Sequence, residues 1–302
     1  MNPMLFDELR SLIARHAGED SKPLRLMPNV ILGRETARTP PCPHVIEPMV
    51  SVIAQGAKRM DVGDRGLAYR TGQYMVIPID MPVDAHVVEA SDTAPFLGFG
   101  LTLSAEAIAS LLLEAGASRP AAQDGSGMAV SDLTDDLLDP IVRLLRLLDR
   151  PGDIPILGAA LEREITWRLL TGPQGAMVRQ IGVADSRVAR IGRAARWLRH
   201  HFTETVRIED VAEVASMSIT SLHRHFRAIT SLTPIQYQKQ LRLHAARVRL
   251  MAAPEDVADV GFAVGYDSPS QFSREYRRLF GKPPGMDGAQ MRETQRRLIP
   301  ST

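Results

Sequence analysis

Arg224 and Arg274 stand in matching settings fifty positions apart. Leu222, Arg224, Phe226 and Arg227 correspond in order to Phe272, Arg274, Tyr276 and Arg277. A guanidinium fixed on a helix presents a fork of donors that suits guanine O6 and N7, or a phosphate. Beside these arginines lie Thr220 and His223 in the first run, and Ser270, Gln271 and Ser273 in the second. Hydroxyl, imidazole and amide groups can donate to or accept from base edges. Ser218 and Ser268 precede the two runs as helix N-caps, the second followed by Pro269 at the first helical position. Such helix N-termini offer backbone N–H groups to phosphate. Arg227, Arg277 and Lys282 suit phosphate contacts or solvated charges, and the small second set (Pro269, Ser270, Ser273) is expected to add less base specificity than the first.

Helices must position these groups. In residues 257–284, Val257, Val260 and Val264 recur at helical spacing, and Gly265-Tyr266-Asp267-Ser268 breaks the pattern. A second helix follows with Phe272, Tyr276 and Leu279 on its buried side and Arg274, Arg277 and Arg278 facing out. Gly281 and Pro283-Pro284 end it. Residues 208–230 repeat the design, and Val211-Ala212 aligns with Val260-Gly261 at an offset of 49, so the second turn carries one extra residue. A single helical hairpin with a basic face is unremarkable packing; a repeated one is much harder to explain that way. Between the units, Thr233 caps a helix with Pro234 at its first position. No Gly or Pro interrupts the 18 residues to Met251. At ~1.5 Å per residue this strut is roughly 27 Å long. It can hold two reading helices close to one DNA turn apart, about 34 Å, for successive major grooves.

The region from about 188 to 290 resembles the DNA-binding domain of the AraC/XylS family of bacterial transcription regulators. The resemblance rests on MS-x-x-x-L-x-R-x-F at Met217 to Phe226, on RLHAAR at 242–247, and on VGY-x-S-x-S-x-F-SR followed by FG-x-x-P. It implies an all-α domain with two helix-turn-helix units. DNA contacts are then expected at Ser218, Thr220, His223, Arg224 and Arg227, and at Ser268, Pro269, Ser270, Gln271, Ser273, Arg274 and Arg277.

Charge is divided unevenly along the 302 residues. Residues 188–302 hold 18 Lys and Arg against 11 Asp and Glu, whereas residues 1–187 hold 18 against 24. A basic C-terminal third is the electrostatic footprint of phosphate contact. The acidic remainder would repel DNA and must do something else. The length suits two domains with cores of their own. No run of about 18 apolar residues and no signal-peptide pattern occurs, so a cytoplasmic protein without a membrane partner is expected. The single cysteine, Cys42, excludes an intrachain disulfide and a Cys-rich zinc site.

The first domain opens with an amphipathic helix (Leu5, Phe6, Leu9, Leu12, Ile13). From Leu24 to about Thr102 short apolar runs are broken by Gly and Pro, the pattern of a small β-barrel or sandwich. This part resembles the cupin-like sensor domain of one AraC-type subgroup, through EPMVSVIAQGAKRM, GQYMVIPIDMPV and EASDTAPFLGFGL. Cupin enzymes use a His-x-His cluster; here His44 and His86 stand apart, so no metal, no cofactor and no catalysis is expected. A barrel mouth holding a small-molecule effector remains, with His44, Glu47, Tyr69, Tyr74 and His86 as candidate lining, each of which also suits a locally satisfied strand residue. Cys42 sits in the turn-like TPPCPH, as an inert loop residue or a thiol sensor.

Trailing helices follow. One is capped by Ser104, and residues 115–127 form a loop. A further helix is expected from Asp139 as N-cap and Pro140 at its first position. Its Ile141, Leu144, Leu145 and Leu148 form a stripe that packs on its own domain or pairs with a second copy. A helix reaching Gly172-Pro173 and an interdomain connection complete the series. The next helix carries Arg190, Arg193, Arg196 and Arg199 along one face.

The expected fold class is α+β: an N-terminal cupin-like β-barrel with trailing helices, then a C-terminal all-α domain with two helix-turn-helix motifs. The divisions are a sensing domain over 1–115, a helical segment over 116–172, a linker over 173–187, the DNA-binding domain over 188–290 and a tail over 291–302. The function read is an effector-responsive, sequence-specific transcriptional regulator. Double-stranded DNA, RNA polymerase, a small-molecule effector and a second copy as homodimer are its partners. Rival readings are a cupin-type enzyme with a DNA-binding appendage, and a ligand-independent regulator whose barrel only dimerises.

Overall fold

The computed structural model describes residues 2–18, 24–62, 65–116 and 128–298. The first helix, α1 (Pro3–His16), starts where the Asn2 side chain accepts from the backbone N–H groups of Met4 and Leu5. It buries Phe6, Leu9, Leu12 and Ile13, the stripe read from the sequence. Nine strands follow: β1 (Leu24–Met27), β2 (Val30–Glu35), β3 (Cys42–Ile46), β4 (Met49–Gln55), β5 (Ala57–Val62), β6 (Arg65–Arg70), β7 (Gln73–Ile77), β8 (Met81–Glu89) and β9 (Phe96–Thr102). After α2 (Ala105–Glu114), β10 (Val130–Asp132) returns to pair with β7.

The strands form two antiparallel sheets, in the orders β1-β2-β9-β4-β7-β10 and β3-β8-β5-β6. The expected barrel is therefore not closed: each sheet keeps two edges, and β3, β6, β1 and β10 occupy them. Cys42 begins strand β3 rather than lying in a turn, and Pro43 is tolerated there because β3 is an edge strand. On β4, Val50 and Val52 are fully buried and Ser51 between them is half-buried, the alternation of a strand covered differently on its two faces. The six-stranded sheet carries α1 against β2, β4 and β9.

Helix α3 (Asp135–Arg146) begins earlier than expected. Thr134, not Asp139, is the N-cap position, and Pro140 lies inside the helix. The start is set by burial: Leu137 and Leu138 join Ile141, Leu144 and Leu145 on a single apolar face, which outweighs the hydrogen bond lost at Pro140. That face packs on α1 and on α4 (Ile154–Thr171). Ile141, Leu144 and Leu145 are 0% exposed within one chain, and Leu148 packs partly buried against the same core. The expected dimer stripe is thus filled by its own domain, because two further helices cover it.

The expected linker is largely helix. Within it α5 (Gly175–Gly182) buries Met177, Val178 and Ile181, and packs on α2 and α4. Gln174 just before it is buried and bridges the strands, accepting from the Val76 N–H and donating to the Ala129 carbonyl and the Ser131 hydroxyl.

The C-terminal domain comprises α6 (Arg187–His200), α7 (Ile208–Val214), α8 (Ile219–Thr230), α9 (Pro234–Ala252), α10 (Val257–Ala263), α11 (Pro269–Phe280) and α12 (Pro284–Leu298). The last runs through most of the expected tail; the remainder of that tail, and the 115–127 loop beyond Gly116, lie outside the described residues. The strut α9 has the expected Thr233 cap, elaborated into a reciprocal capping box with Gln236. It also packs on β3 and β8, so the DNA-binding domain is docked on the four-stranded sheet. Among the described residues no helix is long and apolar enough to cross a membrane.

Candidate nucleic-acid interface

The two expected readers are built alike. The Ser218 hydroxyl accepts from the Ser221 N–H at 3.3 Å, and the Ser268 hydroxyl from the Gln271 N–H at 3.3 Å. Leu222 and Phe226 anchor α8, with Phe226 edge-on to Tyr237 of α9 at 5.3 Å; Phe272 and Tyr276 anchor α11. These anchors turn the opposite faces to solvent. Thr220, Arg224 and Arg227 are exposed on α8 with His223 partly so, and Ser270, Gln271, Arg274 and Arg277 are exposed on α11 with Pro269 and Ser273 partly so. Packing of the strut on the four-stranded sheet leaves both faces uncovered.

The repeat extends to backbone detail. Ser216 and Gly265 occupy the corresponding left-handed position, at φ 51° and 93°. Met217 N–H donates to Ala212 O, and Tyr266 N–H to Gly261 O, at 2.9 and 3.0 Å. Both readers end in left-handed residues, Ser231 and Gly281. Only the second turn demands glycine: a Cβ at Gly265 would stand 2.2 Å from the Thr203 carbonyl oxygen. Asp267 is the extra residue.

Glu275 ties the second reader to the strut. It accepts from Lys239 of α9 at 2.8 Å and from the Tyr266 phenol at 2.9 Å, with Gln271 at 3.3 Å. Burial alone would raise its pKa, but these donors outweigh it and hold the carboxyl below the usual range.

The outward arginines form no ion pair with a described residue; Arg224 only meets His225, at 3.3 Å. The arginine row of α6 behaves differently. Arg190 donates to Ser216 O and Arg193 to Ala184 O, at 3.0 and 2.9 Å. Arg199 reaches the β domain, donating to Asp80 at 2.9 Å and Glu47 at 3.3 Å, and Arg196 lies 3.7 Å from Asp80. Arg196 and Arg199 thus serve the contact between domains, while Arg190 and Arg193 tie α6 to neighbouring backbone, roles helical spacing could not reveal.

A cavity of about 330 Å³ lies between the two sheets. His44, Glu47 and Tyr69 line it as expected, whereas Tyr74 and His86 do not. Tyr74 is 1% exposed and lies towards Gly172, because its place on β7 directs it to the helical side. His86 pairs with Arg59 across β8 and β5, with its Nδ1 buried and unbonded. The sequence reading missed Ser51, Lys58, Met60, Phe96 and Phe99 in the lining. Alternation on β4 and β5 would have found Ser51 opposite Val50 and Val52; nothing local marks Lys58. At Gly100, a Cβ would stand 2.3 Å from the Met49 methyl, the mobile end of a side chain that would have to shift.

The cavity's polar groups are few. Tyr69 Oη and Ser51 Oγ are 2.9 Å apart, and burial pushes the phenol up to about 12. His44 Nδ1 donates to Cys42 O at 3.1 Å; desolvation, with the Lys58 charge, lowers its pKa. Burial also lowers the Lys58 ammonium, which makes no hydrogen bond or ion pair with a described residue. The Cys42 thiol is raised by the atoms crowding it, the reverse of what a thiolate sensor needs. Among the described residues no three His, Cys, Asp or Glu side chains converge as a metal group.

Residues 26–177 match the model of the AraC-type transcriptional regulator N-terminus, and residues 211–287 match that of a helix-turn-helix domain. The HTH-type transcriptional activator RhaS of Salmonella schwarzengrund (strain CVM19633) is 31% identical over 168 residues, 55% of this chain and 59% of the relative. The match thus spans less than two thirds of that relative's length. Two crystal structures of ToxT from Vibrio cholerae strain SCE256 are similar in fold. The apo form, with one lysine replaced by alanine, gives a TM-score of 0.55 at 7% identity, covering 88% of this chain and 98% of ToxT. The wild-type form bound to an unsaturated fatty acid gives 0.51 at 8% identity, covering 86% and 93%.

Proposed function

The chain belongs to the family of AraC-type transcriptional regulators, and on that premise we propose that it is an effector-responsive, sequence-specific DNA-binding regulator acting in the cytoplasm. Its two readers enter successive major grooves on one DNA face. Arg224 and Arg274 address base edges or flanking phosphates, with Thr220, His223, Ser270, Gln271 and Ser273 beside them. Arg227, Arg277 and the helix N-termini at Ser218 and Ser268 hold phosphates, while Pro269 shapes the start of the second reader. RNA polymerase and a second copy of the chain complete the partners, the second copy meeting a surface other than the buried face of α3.

One observation carries the regulatory part of this reading. Glu47 lines the cavity between the sheets and also accepts from Arg199 on the first helix of the DNA-binding domain. A molecule entering the cavity meets a residue that already holds the reader domain, so occupancy can alter docking. His44 and Tyr69 complete the polar lining that would orient it. A largely apolar lining in which the Lys58 ammonium has no hydrogen bond or ion pair with a described residue favours a molecule with an apolar body and a single anionic head. The fatty acid in ToxT has that chemistry.

Titration of the full-length protein against its own upstream DNA, with salt varied and random DNA as competitor, tests the reading. Specific binding should weaken steeply with salt, and a medium-chain carboxylate such as decanoate should shift the affinity. Equal affinity for random and upstream DNA at every salt, with or without decanoate, overturns it.

A further inference from the structure

A second and larger cleft, about 630 Å³, opens between the β domain and the second reader unit. Cys42, Asp61 and Asp84 form one wall; Arg247, Met251 and Phe280 form much of the other. Its size suits a small organic molecule, for which sites run from about 300 to 1,000 Å³. Val248, 48% exposed, lies in the same wall and adds apolar surface.

Most charged groups in the cleft are engaged. Arg247 donates from Nε to Asp287 at 2.8 Å and from Nη1 to Pro41 O at 3.2 Å, and its guanidinium lies 4.5 Å from the Phe280 ring centroid. Lys282 donates to Gln290 at 2.5 Å, and Asp61 accepts from Arg59 at 2.9 Å. Asp84 is the exception. Its Oδ1 is buried and accepts no hydrogen bond. Arg247 Nη1 forms a long ion pair with Oδ1 at 3.9 Å, and His244 Nε2 lies 3.9 Å from Oδ2, both beyond hydrogen-bonding range. The contact with His244 is not an ion pair, since burial drives both groups towards their neutral forms, Asp84 up to about 6 and His244 down to about 3. A carboxylate oxygen withdrawn from water normally accepts a hydrogen bond, and Oδ1 accepts none.

We propose that this cleft is a small-molecule site, separate from the cavity between the sheets, for an organic cation: an ammonium or amidinium group at Asp84, with an apolar or aromatic body against Phe280, Met251 and Val248. Because one wall belongs to the β domain and the other to α9, α11 and α12, the occupant bridges the two domains. It would stiffen their docking on the side of the second reader.

Cys42, the chain's single cysteine and an exposed one, reports on the site directly. The rate of its alkylation by iodoacetamide, read by intact mass, would be measured with and without tryptamine in the full-length protein. Indole-3-propionate, with the same ring and opposite charge, is the control. Tryptamine at a few times its dissociation constant should slow alkylation about fivefold, and indole-3-propionate should not. Asp84→Asn should abolish that protection, read as the ratio of the rates with and without tryptamine in the same variant, because the Asp84 charge itself raises the Cys42 thiol and its loss quickens the unprotected reaction. Val248→Trp, which fills the cleft from an exposed position, should also abolish it, so the test survives if one variant folds poorly. Absence of protection by tryptamine, equal protection by the acid, or protection that persists in both variants overturns the proposal. No DNA enters the measurement, so its failure leaves the regulator reading untouched.

Discussion

The Tyr237 phenol of α9 donates a 2.6 Å hydrogen bond to the backbone carbonyl of Asp80, tying the strut between the readers to the β domain. The same Asp80 accepts through its carboxylate from Arg199 of α6, and its side chain is only 5% exposed. Two helices of the DNA-binding domain therefore converge on one residue of the domain that precedes it. Tyr237→Phe keeps the ring against Phe226 but leaves a buried carbonyl without its donor. Stability should fall by roughly 1–3 kcal/mol, measurable by urea denaturation. An unchanged midpoint would mean that water replaces the phenol.

Arg199→Ala breaks the contacts to both Asp80 and Glu47. Among the described residues the Asp80 carboxylate then keeps only Arg196, at 3.7 Å. Removing one partner of a largely buried charge should cost about 3 kcal/mol. Limited proteolysis should cut between the domains faster in the variant; an identical digestion pattern would argue that the apolar contacts alone hold them.

On DNA the arginines should separate by role. Arg224→Ala should cost about 1–3 kcal/mol on the specific site and relax its sequence preference, as loss of a bidentate base contact does. Arg227→Ala should weaken all sequences alike and reduce the salt slope by about one. A binding-site selection with both variants distinguishes these outcomes, and an unaltered preference in Arg224→Ala removes the base contact.

The two turns should respond oppositely to substitution. Gly265→Ala sets a Cβ against Thr203 O at a backbone φ of 93°, so the second reader should be destabilised by about 1–3 kcal/mol or more. Ser216→Gly relieves a left-handed serine at φ 51° and should be neutral or slightly stabilising. Thermal unfolding of both variants checks the contrast.

Acid should loosen the domain junction through His244. Burial, with His44 and Arg247 nearby, lowers its pKa from 6.5 to about 3, so between those values the folded protein keeps it neutral while the unfolded chain protonates. Stability is full above about 6.5 and is lost progressively as pH falls towards 3. Asp84 runs the other way. Burial raises it from 3.8 to about 6 against Arg247, so its ionisation above that pH costs folding free energy. Asp84→Asn should therefore gain on the order of 2 kcal/mol at pH 7.5 and almost nothing at pH 3.5. Denaturant titrations across that range would show the gain shrinking with acid; a constant difference would assign the effect to packing.

Much of the DNA-binding domain was determined by the sequence itself, because its signals are local. Ser218, Ser268, Thr233 and Gly281 are caps, and a cap acts on backbone groups within one turn. The apolar periodicity of Leu222, Phe226, Phe272 and Tyr276 assigns each helix its buried face, and so decides which residues stay exposed. The wall of the sheet cavity was only half legible. His44, Glu47 and Tyr69 lie where expected, but Tyr74 does not, because a strand's alternation says that residues face opposite ways without saying which side another sheet covers. The leucines of α3 were ambiguous for a related reason: an apolar stripe demands a partner without specifying whose. Tertiary structure alone decided that α1 and α4 cover it, that Arg199 reaches Asp80 across 119 positions of chain, and that Asp84 meets Arg247 and His244. Such pairings depend on how domains dock, and no periodicity within either partner's own element encodes them.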